Sequence, residues 1–343
     1  MKRLLVAVVA LAACSKASAP APQAEPPAPS AKPVAAGAHG KVVTQRFHSD
    51  ALGVDKTYLA YLPADYDAKP TTRWPVFFYL HGLGGSELDW THGGHLDQVA
   101  DQLALGAIVV MPDGDDNFYV DGAAQPDYDA CMRDGSGLFA FAARKPAETC
   151  VRHASYETYI VHDLIAEVDA RFRTIGKREG RAIAGLSMGG YGALELSMRH
   201  RDLFAAAASH SGVDALLYHG PHPYVAGKVE LVTDPKMWGA AVEDIGKWVR
   251  PIFGPDLQNW KDHDPAQLAT TLEPGQLALY LDCGTEDGFA LDDQASYLHD
   301  ILTQRHVDHV FFLGPGGHNF GFWAPRLPES LKFLRDHTAK PQS

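Results

Sequence analysis

The chain has 343 residues, 46% of them apolar and 21% charged, which is enough for a large folded core. Its 42 acidic and 30 basic residues give a formal charge of -12, with no basic cluster and no aromatic-basic stripe. That balance excludes nucleic acid as a partner, and no internal repeat is present.

Lys2 and Arg3 precede an apolar run over 4–12, of signal-peptide length and too short to span a bilayer as a helix. The run closes on Leu11-Ala12-Ala13-Cys14, which resembles a bacterial lipobox. The resemblance implies export, cleavage before Cys14 and a lipid on Cys14 that anchors the protein to a membrane of the cell envelope. Ser15 in place of Asp leans towards the outer membrane. Residues 15–40 are rich in Ala and Pro, with Ser and Lys and no aromatic. Such a segment cannot bury enough surface to offset its ordering entropy, so it reads as a tether. The folded domain is expected over 41–340.

Within the domain, 42–48 and 56–62 read as strands joined near Leu52-Gly53. Residues 74–80 form a continuous apolar run, which suits a strand buried on both faces. The run ends in His81-Gly82-Leu83-Gly84-Gly85. A helix is expected over 96–105 and another buried strand over 107–111. Residues 112–152 form a long polar, Gly-rich and aromatic insert, expected to overhang the site. It contains Cys131 and Cys150, which are expected to pair as a disulfide in an oxidising compartment. Asp113, Asp115 and Asn117 have calcium-loop spacing, but the glycine and terminal glutamate are missing, and the segment reads as a strand-end turn. Tyr156, Tyr159, Ile160, Leu164, Ile165, Val168 and Phe172 recur at helical spacing.

Strands follow at 181–184, 204–208, 277–281 and 309–313. Helices are expected over 191–198, over 291–302 and, to close the chain, over 327–334. Residues 213–271 are mixed, with helical pieces and several aromatics. Cys283 reads as an inert buried thiol, and the cysteine spacings fit no zinc motif. Strands alternating with helices predict an α/β fold, with a mostly parallel central sheet and helices on both faces.

In such sheets, functional groups collect beyond the carboxyl ends of the strands. Gly185-Leu186-Ser187-Met188-Gly189 follows one strand and opens a helix, the setting of a nucleophile elbow. Ser187 is the candidate nucleophile. Asp282, Glu286 and Asp287 follow the strand over 277–281, and His318 follows the last strand. Serine, acid and histidine in that order match α/β-hydrolase chain order. Asp287 is preferred as the acid, because a few loop residues are needed to bring a carboxylate back to the histidine. His318 would act as the base. The oxyanion donors expected are the backbone N–H of Met188 and that of Leu83, with Gly84 second.

Tyr79-Leu80-His81-Gly82, Trp90, Met111-Pro112-Asp113-Gly114, Glu157-Thr158-Tyr159, Gly185 to Gly190, Asp282 to Asp287 and Gly317-His318 together resemble the esterase D family. That family is similar to feruloyl and acetylxylan esterases, enterochelin esterases, S-formylglutathione hydrolases and mycolyltransferases. The resemblance covers nearly all of 41–340. It implies an α/β-hydrolase fold with no metal and no cofactor, and it supports Ser187, Asp287, His318, Leu83 and Met188 in the roles given. The function expected is an exported serine carboxylesterase acting on an acyl ester, of a carbohydrate or phenolic kind. The alternatives are an acyltransferase of the mycolyltransferase type, or a non-catalytic envelope lipoprotein on a hydrolase fold.

Overall fold

The computed structural model describes residues 39–139 and 144–343. The expected signal peptide, its Cys14 and nearly all of the expected tether lie outside the described residues. The strands are β1 (Lys41–Ser49), β2 (Val54–Leu62), β3 (Val76–Leu80), β4 (Ile108–Pro112), β5 (Arg181–Leu186), β6 (Ala206–His210), β7 (Ala278–Gly284) and β8 (His309–Gly314). They form one sheet in the order β1-β2-β4-β3-β5-β6-β7-β8. β1 and β2 make an antiparallel hairpin, and β2 pairs antiparallel with β4. From β4 across to β8 every pair is parallel.

Six helices matter to the site: α1 (Leu96–Gln102), α2 (156–171, with Tyr159–Leu164 wound as π-helix), α3 (Met188–Arg199), α4 (Glu243–Phe253), α5 (Leu291–Gln304) and α6 (Phe320–Asp336). The reason for the continuous apolar runs is visible in β3. Val76, Phe78 and Leu80 face a core shared with α2, α3 and α5. Phe77 and Tyr79 face the opposite core, shared with α1 and α6. A strand covered on both faces has no position left for a polar residue. Burying each large side chain of this kind contributes roughly 1.5–3 kcal/mol.

Among the elements that extend further than their sequence pattern suggests, β7 and α6 bear on the site. β7 continues through Asp282 and Cys283, which pair with His210 on one side and Leu313 on the other. Asp282 is fully buried and hydrogen-bonded to the His210 ring. α6 starts at Phe320, not at 327. Pro325 and Pro328 stand inside it, and Asn319 caps the helix by accepting from the Gly321 N–H at 2.8 Å. Phe322, Trp323 and Leu327 bury against the sheet and offset the lost backbone bonds.

Candidate active site

Ser187 stands alone between the last residue of β5 and the first of α3. Its backbone lies at φ 53° and ψ −121°, a conformation that costs a residue with a side chain about 1–3 kcal/mol. The surroundings hold it there. The Ser187 N–H donates to the His210 carbonyl at 2.9 Å, and its carbonyl accepts from the Tyr191 N–H at 3.0 Å. A Cβ on Gly185 would fall 2.2 Å from the Gly189 carbonyl, and one on Gly189 would fall 2.4 Å from the Leu80 carbonyl oxygen. Neither position admits any other residue, because the atoms met are backbone.

His318 reaches Ser187 from the loop after β8. Its Nε2 lies 2.9 Å from Ser187 Oγ, and its Nδ1 lies 2.7 Å from Asp287 Oδ2. A carboxylate can only accept here, so Nδ1 carries the proton and Nε2 is left to accept from the serine hydroxyl. Asp287 has its other oxygen tied to the Phe289 N–H at 2.9 Å. Phe289 and Trp323 meet the His318 ring edge to face, both at 4.9 Å between centroids. The imidazole is therefore fixed in plane and orientation by apolar neighbours.

Asp282, the nearest competitor in sequence, faces elsewhere. It is hydrogen-bonded to His210 Nδ1 at 2.9 Å and accepts from Tyr280 Oη at 2.8 Å and Arg326 Nε at 3.3 Å. His210 in turn meets Ser330 Oγ at 2.8 Å. This chain of groups sits between the sheet and α6. Glu286 is exposed.

Leu83 and Met188 line one cleft together with Ser187 and His318. The loop carrying Leu83 is pressed onto the elbow: a Cβ on Gly82 would lie 3.3 Å from Ser187 Cβ. The Gly84 N–H donates to Asp116 Oδ1, so Gly84 is committed to holding the loop. Asp116 could not be identified from sequence as this anchor, because nothing in a strand-end turn marks which carboxylate turns back. His81 anchors the same loop. Its Nε2 accepts from the Gly114 N–H at 2.9 Å, and its carbonyl accepts from Tyr119 Oη at 3.0 Å.

Behind the loop lies a buried ionic cluster. Lys56 Nζ is 3.2 Å from Asp113 and 2.8 Å from Asp115, and Arg144 reaches Asp113 from the insert. Burial favours the neutral form of Asp113, but Lys56 and Arg144 outweigh it and hold the carboxyl well below its usual range. Burial pushes Asp115 the other way, up to about 6 despite Lys56.

The cleft has a volume of about 600 Å³. Among the described residues of the insert, Phe118 and Phe139 line it. Most of the remaining wall comes from the segment after β6, including Val213, Leu216, Tyr218, Trp238 and Ile245. Sequence reasoning missed this wall; the available signal was the scattered aromatics, Tyr218, Tyr224 and Trp238, in the segment that follows β6. Cys131 and Cys150 are joined as a disulfide within the insert. Cys283 is free and buried, and burial pushes its thiol far up from the ordinary value.

Among the described residues, two groups have metal-ligand spacing, Glu157 with Glu195 and His263, and His222 with Asp292 and Asp293. The first already surrounds the Arg199 guanidinium, 3.1 Å from both glutamates. In the second, His222 pairs with Asp293 at 2.9 Å. Neither shares a residue with the Ser187 cluster.

Comparison with known proteins identifies the family. Residues 49–334 match the Esterase family model ("Putative esterase"). The chain is 24% identical over 299 residues to an acetyl esterase of Caldicellulosiruptor saccharolyticus, covering 84% of this chain and 96% of that one. Its fold resembles a ferulic acid esterase at TM-score 0.63 and 22% identity, over 88% of this chain and all of that one. It also resembles FphF, a fluorophosphonate-binding serine hydrolase of Staphylococcus aureus, at TM-score 0.64 and 21% identity, over 87% and 99% of the two chains. The protein is a serine enzyme that hydrolyses esters on an α/β-hydrolase fold. It belongs to the Esterase family.

Proposed function

We propose that the chain is an exported, lipid-anchored carboxylesterase in which Ser187, His318 and Asp287 are the catalytic triad and the Leu83 and Met188 N–H groups form the oxyanion hole. The observation that carries this reading is the chain of hydrogen bonds from Ser187 Oγ through the His318 ring to Asp287, at the floor of an open cleft.

Ser187 Oγ attacks the acyl carbon as His318 Nε2 takes its proton. The carbonyl oxygen gains the charge, and the two N–H groups receive it. Collapse expels the alcohol, which takes the proton from His318. Water then repeats the sequence on the acyl-enzyme. Asp287 keeps the imidazole in the required tautomer and stabilises its cation.

The substrate class proposed is an acyl ester of a carbohydrate or a phenolic acid. The acetyl esterase and ferulic acid esterase similarities support it. Export and lipidation rest on the Lys2-Arg3 leader and Cys14. A fluorophosphonate probe followed by peptide mapping tests the site: label is expected on Ser187 and lost in His318→Ala. Label on another serine would overturn the assignment. Release of acid from acetylated xylo-oligosaccharides and from methyl ferulate tests the substrate class, and transfer of the acyl group to added alcohol in excess of free acid would replace hydrolysis with acyl transfer. A Cys14→Ser chain that still partitions with membranes would contradict the anchor.

A further inference from the structure

A second cavity of about 510 Å³ lies beside the catalytic cleft, between the disulfide-bonded insert and α4. Its walls are mostly apolar, with Leu138, Val151, Trp248, Ile252 and the Cys131–Cys150 bridge, but polar groups such as Gln125 and Lys247 also line it. Among the described residues, Phe139 is the only one that lines both this chamber and the cleft containing Ser187. Its ring is buried, packs 5.5 Å from the Trp248 ring, and has its Cε1 edge 3.9 Å from where a Cβ on Gly84 would stand. The ring is thus a partition set against the loop that carries Leu83.

The two ends of the cleft differ in chemistry. Phe289 packs on His318, the group that must protonate the departing alcohol, so that end takes the alcohol part of the ester. Phe139 flanks the oxyanion loop instead, which assigns it to the acyl part.

We propose that Phe139 sets the acyl-group specificity of this enzyme, closing the acyl end of the cleft against long chains, and that the apolar chamber behind it is a latent subsite for an aliphatic acyl tail. The proposal rests on the esterase reading above. In the native enzyme a short acyl group fits in front of the ring, and a longer chain meets it. Without the ring, the cleft and chamber become continuous, and added methylenes find apolar walls. Each methylene that gains a wall is worth about fourfold in transition-state binding, and several together exceed tenfold.

The test is a ladder of 4-nitrophenyl esters from acetate to octanoate, read as the ratio of kcat/KM for octanoate to that for acetate. The ratio cancels any general loss of active enzyme. Phe139→Ala should raise it about tenfold or more, with Phe139→Leu between. Phe139→Leu also serves if the alanine variant does not fold. Adding Leu138→Trp, which lines only the chamber, should reverse the gain. A ratio unchanged in folded Phe139 variants overturns the proposal, as does a gain that the tryptophan leaves intact. If the native enzyme shows no Ser187-dependent hydrolysis of any ester in the ladder, the esterase reading fails instead, so the two failures are distinguishable.

Discussion

Asp214 gives the sharpest quantitative prediction. It follows β6 and is fully buried beneath the start of α3. Its Oδ1 accepts from Ser209 Oγ at 2.6 Å, and among the described residues its Oδ2 has no hydrogen-bond partner. Burial pushes its carboxyl up to about 7, while the Ser209 hydroxyl pulls in the other direction. In the unfolded chain the same group titrates at about 3.9. The folded state therefore holds its proton more tightly, and stability falls as pH rises from about 4 through about 7. Linkage puts the loss at about 1.5 kcal/mol by pH 5 and about 4 kcal/mol by pH 8. Asp214→Asn removes the titration and retains an acceptor for Ser209. Whatever constant cost the amide brings, the variant should gain about 2.5 kcal/mol relative to the native protein between pH 5 and pH 8. Urea unfolding of both proteins at the two pH values measures this difference directly. A difference in stability that is the same at both pH values would refute the reasoning, because no native-state proton would then be bound at Asp214.

Asp287→Asn should lower kcat by orders of magnitude while leaving a residue of activity, because the oxyanion donors and substrate contacts survive. Asp282→Asn should do the reverse: it breaks a buried pair with His210 and should cost about 3–5 kcal/mol of stability, with turnover per folded molecule retained. Loss of kcat in a stable Asp282→Asn protein would reverse the two roles. Replacing both Cys131 and Cys150 with serine opens a loop with a sequence separation of 19, and should lower stability by about 3 kcal/mol, seen as a lower denaturant midpoint that no longer responds to reductant. Cys283 should resist maleimide in the native state and react only on unfolding.

The sheet was legible because its central strands are buried on both faces, and two-sided burial writes itself into sequence as unbroken apolar runs such as 76–80. The Ser187 turn was legible for a related reason: Gly185 and Gly189 face backbone atoms at distances that forbid any Cβ. The acid was harder. Asp282 and Asp287 are five positions apart, yet one points to His318 and the other to His210, a partner 72 residues away that sequence spacing cannot reveal. The cleft wall over 213–271 has no single period, because its residues are placed by the cleft they line and not by a helix or strand face. The role of Asp116 was hidden in the same way, since its carboxylate turns back 32 positions to the Gly84 N–H. The early start of α6 was not read from the sequence: the helix expected over 327–334 begins at Phe320, where Phe322 and Trp323 bury against the sheet.

Hydrolysis of 4-nitrophenyl acetate by the domain from about Gly40 onward, run beside its Ser187→Ala variant, tests the central claim most directly. The geometry predicts turnover in the parent and near-background rates in a variant whose fold and stability are intact. Equal rates well above background from the two proteins would contradict a nucleophilic role for Ser187.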